Sequence, residues 1–177
     1  MNEIDFRHDL LPLKSKLFRV ALRITLDRPE AEDVVEDVLV KTWEMRNTPE
    51  MQQVANLESY CLTMTRNLAL DRAKRREAQN VSLDDETHGN IANERADTTP
   101  LPDQLMEHDE RLRWVHELFM KLPEKQRTVL QLRDIEEHSY QEIGDIMQIT
   151  ESDVKVTLFR ARQALKILIQ NHPNHGL

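Results

Sequence analysis

Glycine is nearly missing from this 177-residue chain, which has three in all, and aromatic residues make up only 5%. A sandwich or barrel needs many tight turns, so this shortage argues against β architecture. With 32% charged residues it favours helices. A single cysteine, Cys61, rules out an internal disulfide and fits a reducing compartment. No early apolar run resembles a signal peptide and none reaches membrane-spanning length, so a cytoplasmic protein without membrane insertion is expected. Catalytic equipment is missing as well. The seven histidines show no HExxH or paired metal spacing, and there is no Gly-rich phosphate loop. His172 and His175 lie in a terminal stretch that reads as a frayed tail. Cys61 falls on an apolar helical stripe and reads as an inert buried thiol. No catalytic residue, metal, cofactor or small-molecule substrate is therefore expected, and the chain is not read as an enzyme.

What the chain does have is charge sorted along its length. The net charge of −8 at first opposes nucleic-acid binding, because phosphate contacts need Lys and Arg. Positive charge nevertheless concentrates at Arg72–Arg76 and from Lys155 to Lys166. Negative charge concentrates from Asp27 to Asp37 and from Asp84 to Glu107. Such segregation predicts two basic contact surfaces and an acidic remainder with another use.

Apolar periodicity predicts helices throughout, an all-α fold. A first helix spans about Asp9 to Thr25, with Leu10, Leu13, Leu17, Ala21 and Ile24 on one face. Asp27 caps a second, with Pro29 in its first turn, running to about Arg46 and burying Val34, Val35, Val38 and Leu39. After a polar loop over about Asn47–Asn56, a third runs from Leu57 to about Glu77 with a core stripe of Leu57, Cys61, Met64 and Leu68. From Ala78 to Glu107 the pattern disappears into Asp, Glu, Asn, Thr and Pro. That composition buries too little apolar surface to offset the entropy of ordering and reads as a flexible linker. Periodicity then resumes through Leu112, Val115, Leu118 and Phe119, followed by a helix after Pro123. The expected organisation is two small helical domains, 1–77 and 108–177, joined by the acidic linker 78–107.

The most informative stretch is Ser139–Lys166. Ser139 with Glu142 and Thr150 with Asp153 are two capping boxes eleven residues apart, so short helices should begin near Tyr140 and Glu151. Only a tight turn fits between them. This is a helix-turn-helix, whose second helix normally lies in the DNA major groove. Val154, Leu158, Ala161, Leu165 and Leu168 form its core stripe. Ser152, Val156, Phe159 and Gln163 lie opposite, flanked by Lys155 and Arg160.

Four segments in order resemble bacterial RNA polymerase sigma factors, specifically the extracytoplasmic-function (ECF) group of the sigma-70 family, which keeps only regions 2 and 4. AEDVVEDVLVKTWE (Ala31–Glu44) resembles the family's AED-x-x-Q-[ED]-[VT]-F-x-x-x-[WL] segment. YCLTMTRNLALDRAKRR (Tyr60–Arg76) resembles WL-x-x-IARN-x-x-x-D-x-x-R-[RK]. LPEKQRTVLQLRDIEEHSYQEIGDIM and DVKVTLFRARQAL resemble the corresponding region 4 motifs. The departures are Glu36 for Gln, Tyr60-Cys61 for Trp-Leu, Gly144 for Ala, and Gln148 at a turn position often held by Gly.

The resemblance implies an alternative sigma factor that binds core polymerase and directs promoter recognition and initiation at −10 and −35 elements. Residues 1–77 would dock on the polymerase and recognise and melt the −10 element, and 108–177 would recognise the −35 element. Docking on the beta-prime clamp helices would fall to Glu32, Asp33, Glu36, Asp37, Val40 and Trp43, and region 4 would meet the beta flap. The −10 contacts would come from Tyr60, Thr63, Arg66, Asn67, Arg72, Lys74, Arg75 and Arg76, beside a pocket formed partly by the 47–56 loop. Asp71 would orient a neighbouring Arg. The −35 contacts would come from Ser152, Lys155, Val156, Phe159, Arg160 and Arg162, with Arg162 nearer the core stripe. The acidic run Asp84, Asp85, Glu86, Glu94 and Asp97 would mimic RNA in the active-site cleft. An anti-sigma factor is a further implied partner. Two rivals remain on residues alone: a stand-alone regulator using only the helix-turn-helix, and a helical adaptor whose basic patches bind acidic proteins.

Overall fold

The computed structural model describes residues 3–84 and 106–172. Among them are eight α-helices and no strand. The chain enters through a π turn at Phe6–Leu10, started by Asp5 accepting the His8 N–H at 2.8 Å, and a 3₁₀ turn at Leu11–Leu13. Regular α-helix begins only at Lys14, later than the apolar pattern predicts, because Pro12 has no N–H to extend the ladder. Helix α1 (Lys14–Thr25) ends at Leu26, whose left-handed backbone (φ 55°) lets its N–H reach the Leu22 carbonyl.

Asp27 caps α2 (Arg28–Met45), accepting the Glu30 N–H at 3.1 Å with Pro29 in the first turn. The loop expected after it contains one short helix, α3 (Pro49–Gln52), capped by Thr48 and anchored by buried Met51. Helix α4 (Leu57–Asp84) runs one and a half turns or more beyond the predicted stop at Glu77. No Gly or Pro stands between Ala78 and Leu83 to end the hydrogen-bond ladder, so polarity alone does not break it. The start expected for the linker, Ala78, is therefore helical.

Helices α1, α2 and α4 pack around Leu17, Val20, Ala21, Ile24, Val34, Val35, Val38 and Cys61. Cys61, Leu62, Thr65 and Ala69 of α4 are wholly buried, whereas Leu57, Met64 and Leu68 of the predicted stripe are half-buried. The buried arc is wider and rotated because α4 has helices on two sides, α1 and α2 on one and α7 on another.

The second module comprises α5 (Met106–Met120), α6 (Glu124–Leu130), a π turn at Gln131–Ile135, α7 (Tyr140–Met147) and α8 (Glu151–Asn171). The capping box at Ser139 is complete: its hydroxyl accepts the Glu142 N–H at 3.1 Å, and the Glu142 carboxylate accepts the Ser139 N–H at 2.8 Å. Thr150 accepts the Asp153 N–H at 3.1 Å. Between the caps Gln148 takes the left-handed conformation (φ 57°, ψ 44°). Val154, Leu158 and Ala161 are buried as the helical period requires, and Leu165 and Leu168 are half-buried. Full burial of a leucine such as Leu158 contributes roughly 2 kcal/mol.

The helices before residue 85 and those after residue 105 pack on each other, which the sequence did not announce. Helix α1 meets α6 and the π turn after it, and α4 meets α7.

Candidate nucleic-acid interface

Helix α8 presents an open face. Ser152, Lys155, Val156, Phe159, Arg160 and Arg162 are all exposed. Phe159 is 65% and Val156 47% exposed, and Ile167 near the far end of the helix is 55% exposed. The cations differ in freedom. Lys155 Nζ lies 3.4 Å from Glu151 and 5.6 Å over the Tyr140 ring. Arg162 makes a two-pronged pair with Asp134 at 2.6 and 3.3 Å, so the structure uses it to tie α8 to the segment before α7. Arg160 reaches into solvent.

Helix α4 sorts its residues along its length. Asn67, Lys74 and Arg75 are exposed, while Tyr60, Thr63 and Arg66 are half-buried. The Thr63 hydroxyl donates back to the Ser59 carbonyl at 2.8 Å. Arg66 has a buried Nε without a hydrogen-bond partner. Asp71 is exposed. Arg72 and Arg76 are held by acids of the same module. Arg72 lies 3.0 Å from Glu30, 2.8 Å from Asp37 and 3.5 Å from Asp33, and Arg76 lies 2.8 Å from Asp27. These pairs line a polar cleft of about 450 Å³ with Arg75 and Gln79.

The acidic helix α2 therefore faces two ways. Asp33 and Asp37 meet Arg72, whereas Glu32 and Glu36 line a groove of about 460 Å³ between α1 and α2 with Phe18, Arg28 and Val35. Glu32 also pairs with Arg28 at 3.1 Å. Val40 is 54% exposed. Trp43 is half-buried, edge-on to Phe6 at 5.7 Å and stacked under Arg46 at 3.9 Å. Of the acidic run, Asp85, Glu86, Glu94 and Asp97 lie outside the described residues, and Asp84 closes α4.

Sequence reasoning missed the groups that join the modules. Lys16, Arg19 and Arg23 stand at helical spacing on α1. Arg19 grips Glu136 with two bonds, 2.6 and 2.8 Å, and the Glu136 side chain is only 2% exposed. Arg23 donates to Gln131 at 2.9 Å, contacts His116 Nδ1 at 2.9 Å and lies 4.6 Å over Phe119. Buried Arg127, the arginine of the LP-x-x-x-R motif, donates to the Arg23 carbonyl and to the Leu122 carbonyl, each at 2.8 Å. Lys16 pairs with Glu58, whose carboxylate also lies 3.2 Å from His138. Burial favours the uncharged form of Glu136, but its bonds from Arg19 and Gln131 outweigh that and hold the carboxyl below its usual range. Burial and the neighbouring Arg23 cation push His116 down. The cationic stripe on α1 was the available signal.

A helix-turn-helix with an exposed, partly cationic second helix, attached to a second helical module, defines a class of DNA-binding transcription protein. Comparison with known proteins narrows the class. The model of sigma-70 region 2 matches residues 12–79, and that of sigma-70 region 4 matches residues 112–165. The RNA polymerase sigma-H factor of Pseudomonas aeruginosa is 29% identical over 92% of this chain and 86% of its own length. The ECF RNA polymerase sigma factor SigW of Bacillus subtilis is 26% identical over 86% and 82%. Two solved structures share the fold. The sigma factor RpoE of Bartonella quintana, solved with the anti-sigma factor NepR, gives a TM-score of 0.67 at 23% identity over 94% of this chain and 97% of that one. CnrH, solved with the cytosolic domain of CnrY, gives 0.62 at 17% identity over 94% and 88%. The chain belongs to the sigma-70 family of RNA polymerase sigma factors, in its extracytoplasmic-function group. Sigma factors act in transcription initiation and bring no catalysis of their own. No helix among the described residues is long and apolar enough to cross a membrane.

Proposed function

We propose that this chain is an alternative sigma factor that docks on core RNA polymerase through residues 1–77 and reads a −10 element with α4 and a −35 element with α8. The observation that carries this reading is the open face of α8, where Ser152, Val156, Phe159 and Arg160 project from a helix firmly capped and seated by α7. The recognition helix of such a unit meets base edges with its N-terminal turns. Region 4, residues 108–177, would also meet the polymerase beta flap.

On the first module the free groups divide the labour. Asn67, Lys74 and Arg75 are available to a DNA strand, with Tyr60 and Thr63 at the end nearer the 47–56 loop. Arg72 and Arg76 brace α4 against α2 in this arrangement and reach phosphate only by leaving their carboxylates. Glu32, Glu36 and Val40 supply a mixed acidic and apolar surface for a basic helical partner, the clamp helices of beta-prime. The acidic segment after α4 is assigned to the polymerase cleft. An anti-sigma factor is an expected partner, as with the Bartonella relative and NepR. A cytoplasmic location follows from a partner that works on the chromosome.

Using both elements at once demands movement. Centres at −10 and −35 stand roughly 25 base pairs apart, or about 85 Å at ~3.4 Å per pair. A compact chain of this length has a radius of gyration near ~16 Å, hence a diameter of about 40 Å. The modules must therefore separate when the protein acts on a promoter.

The decisive experiment adds the purified chain to core polymerase with a genomic fragment library and maps transcript starts. Initiation at defined sites with shared −10 and −35 sequences is expected. Binding of the chain to duplex DNA without any effect on polymerase would favour a stand-alone regulator instead.

A further inference from the structure

The open side of α8 carries Val156 and Phe159 between Ser152 and Gln163, where a sequence-reading helix most often carries Arg, Asn or Gln. Val156 and Phe159 stand three residues apart, on one face, in the second and third turns of a helix that starts at Glu151. Among the described residues neither is buried: Val156 is 47% and Phe159 65% exposed, while their neighbour Leu158 is buried. The charged groups flank this strip and do not sit in it. Lys155 is drawn sideways to Glu151 and the Tyr140 ring, and Arg162 is drawn to Asp134.

Resting on the assignment of α8 to the −35 element, we propose that Val156 and Phe159 read thymine methyl groups, and that the element is specified there by adjacent A·T pairs. The chemistry follows from the groove. Among the base pairs, only those with thymine offer an apolar group in the major groove, the C5 methyl, and aromatic or aliphatic side chains are its natural complement. The spacing also fits. Three residues of helix advance about 4.5 Å, close to the ~3.4 Å rise between stacked pairs. The two side chains thus address neighbouring steps. Neither can make a hydrogen bond, and every base pair shows polar groups in this groove, so discrimination rests on the methyl contact alone: a G·C pair under the strip offers no apolar partner. The flanking cations supply the attraction to phosphate that an apolar strip lacks.

The test removes methyls without touching base pairing. A promoter found with the reconstituted holoenzyme is resynthesised with deoxyuridine replacing thymine, one position at a time, across its −35 element. Each methyl under the strip is expected to matter by about fourfold in holoenzyme binding, and two together by about fifteenfold. Phe159→Ala should lower affinity for the thymine promoter and cut its preference over the doubly substituted uracil promoter from about fifteenfold to about fourfold, the share left to Val156. Phe159 is exposed, so thermal unfolding should be unchanged. A wild-type holoenzyme indifferent to every methyl overturns the proposal while leaving the promoter assignment of α8 intact. If the wild type ignores the methyls and Phe159→Ala still impairs transcription, the strip is a protein-docking surface. If α8 variants never affect −35 sequence preference, the assignment itself fails first.

Discussion

Replacing Arg19 by alanine should loosen the junction between the two modules without unfolding either. Its guanidinium makes two short bonds to Glu136, a carboxylate 2% exposed and otherwise held by Gln131 at 2.9 Å. Removing one partner of a fully buried pair costs about 3–5 kcal/mol, because the other charge is left in a poor solvent. An exposed pair is worth about 0.2–1 kcal/mol. Arg19 is 46% exposed, so this pair lies between those limits. About 2 kcal/mol is a fair figure, and it corresponds to roughly a thirtyfold rise in the fraction of separated modules.

Native-state hydrogen exchange reads that fraction directly, since amides released by a sub-global opening exchange in proportion to it. Backbone amides from Gln131 to Ile143 should exchange about thirtyfold faster in R19A, whereas those of α8 from Val154 to Ala161 should not change. Glu136→Gln removes the stranded charge, so adding R19A to it should have little further effect. Unchanged exchange over 131–143 would show that the ion pair does not hold the junction. Equal acceleration of every helix would show that the modules do not separate independently, and would refute the opening required for promoter binding.

Acidification should act at the same junction. His116 is held below its ordinary 6.5 and Glu136 below 4.5, so in both cases the released state binds more protons. The stability they contribute is present at neutral pH and is lost as pH falls, from about 6.5 downward for His116 and lower for Glu136. Exchange over 131–143 should therefore quicken between pH 7 and 5. Arg160→Ala should weaken binding to promoter DNA and reduce the salt slope by about 1 if Arg160 meets a phosphate. Undiminished transcription from a mapped promoter would contradict it. Gly144→Ala should destabilise the second module in a thermal melt: its Cβ would lie 2.9 Å from the Ile149 carbonyl oxygen, an overlap worth about 1–3 kcal/mol against a helix-propensity gain of about 1. Gln148→Gly should be neutral or stabilising, because a left-handed non-glycine costs about 1–2 kcal/mol and the entropy of glycine takes back part of that.

Local rules served the sequence reading well where a helix could be judged by its own residues. Asp27, Ser139 and Thr150 cap as their side chains dictate, and Val154, Leu158 and Ala161 bury as the period dictates. Two departures from the family pattern in the turn prove linked. Gly144 provides the room that brings the Ile149 carbonyl close, and Gln148 bears the left-handed backbone. The reading failed where an outcome depended on contacts distant in sequence. Leu62, Thr65 and Ala69 lie off the predicted stripe of α4 yet are wholly buried, in a helix that packs on α1, α2 and α7. Nothing in α4 alone tells that α2 places three carboxylates around Arg72. Helix α4 runs past its predicted end because no Gly or Pro interrupts its hydrogen-bond ladder, however polar the segment is.

Those internal pairings also resolve the conflict between a net charge of −8 and work on DNA. A protein that neutralises many phosphates binds any sequence, with an affinity that collapses as salt rises. Here Arg72 and Arg76 are committed to α2 or its cap, Arg162 to Asp134, and Arg19 to Glu136. Lys74 and Arg75 on α4 and Lys155, Arg160 and Lys166 on α8 remain exposed. Divided between two separate helices, they offer either one only two or three phosphate contacts, too few for tight binding to duplex DNA at physiological salt. The chain alone should therefore ignore chromosomal DNA. A partner that drew Glu30, Asp33 and Asp37 away from Arg72 would add a cation on α4, and on the proposed function docking on polymerase and gripping DNA would then be coupled. Arg72→Ala would then reduce DNA binding by the holoenzyme more than it changes the affinity of the chain for core polymerase.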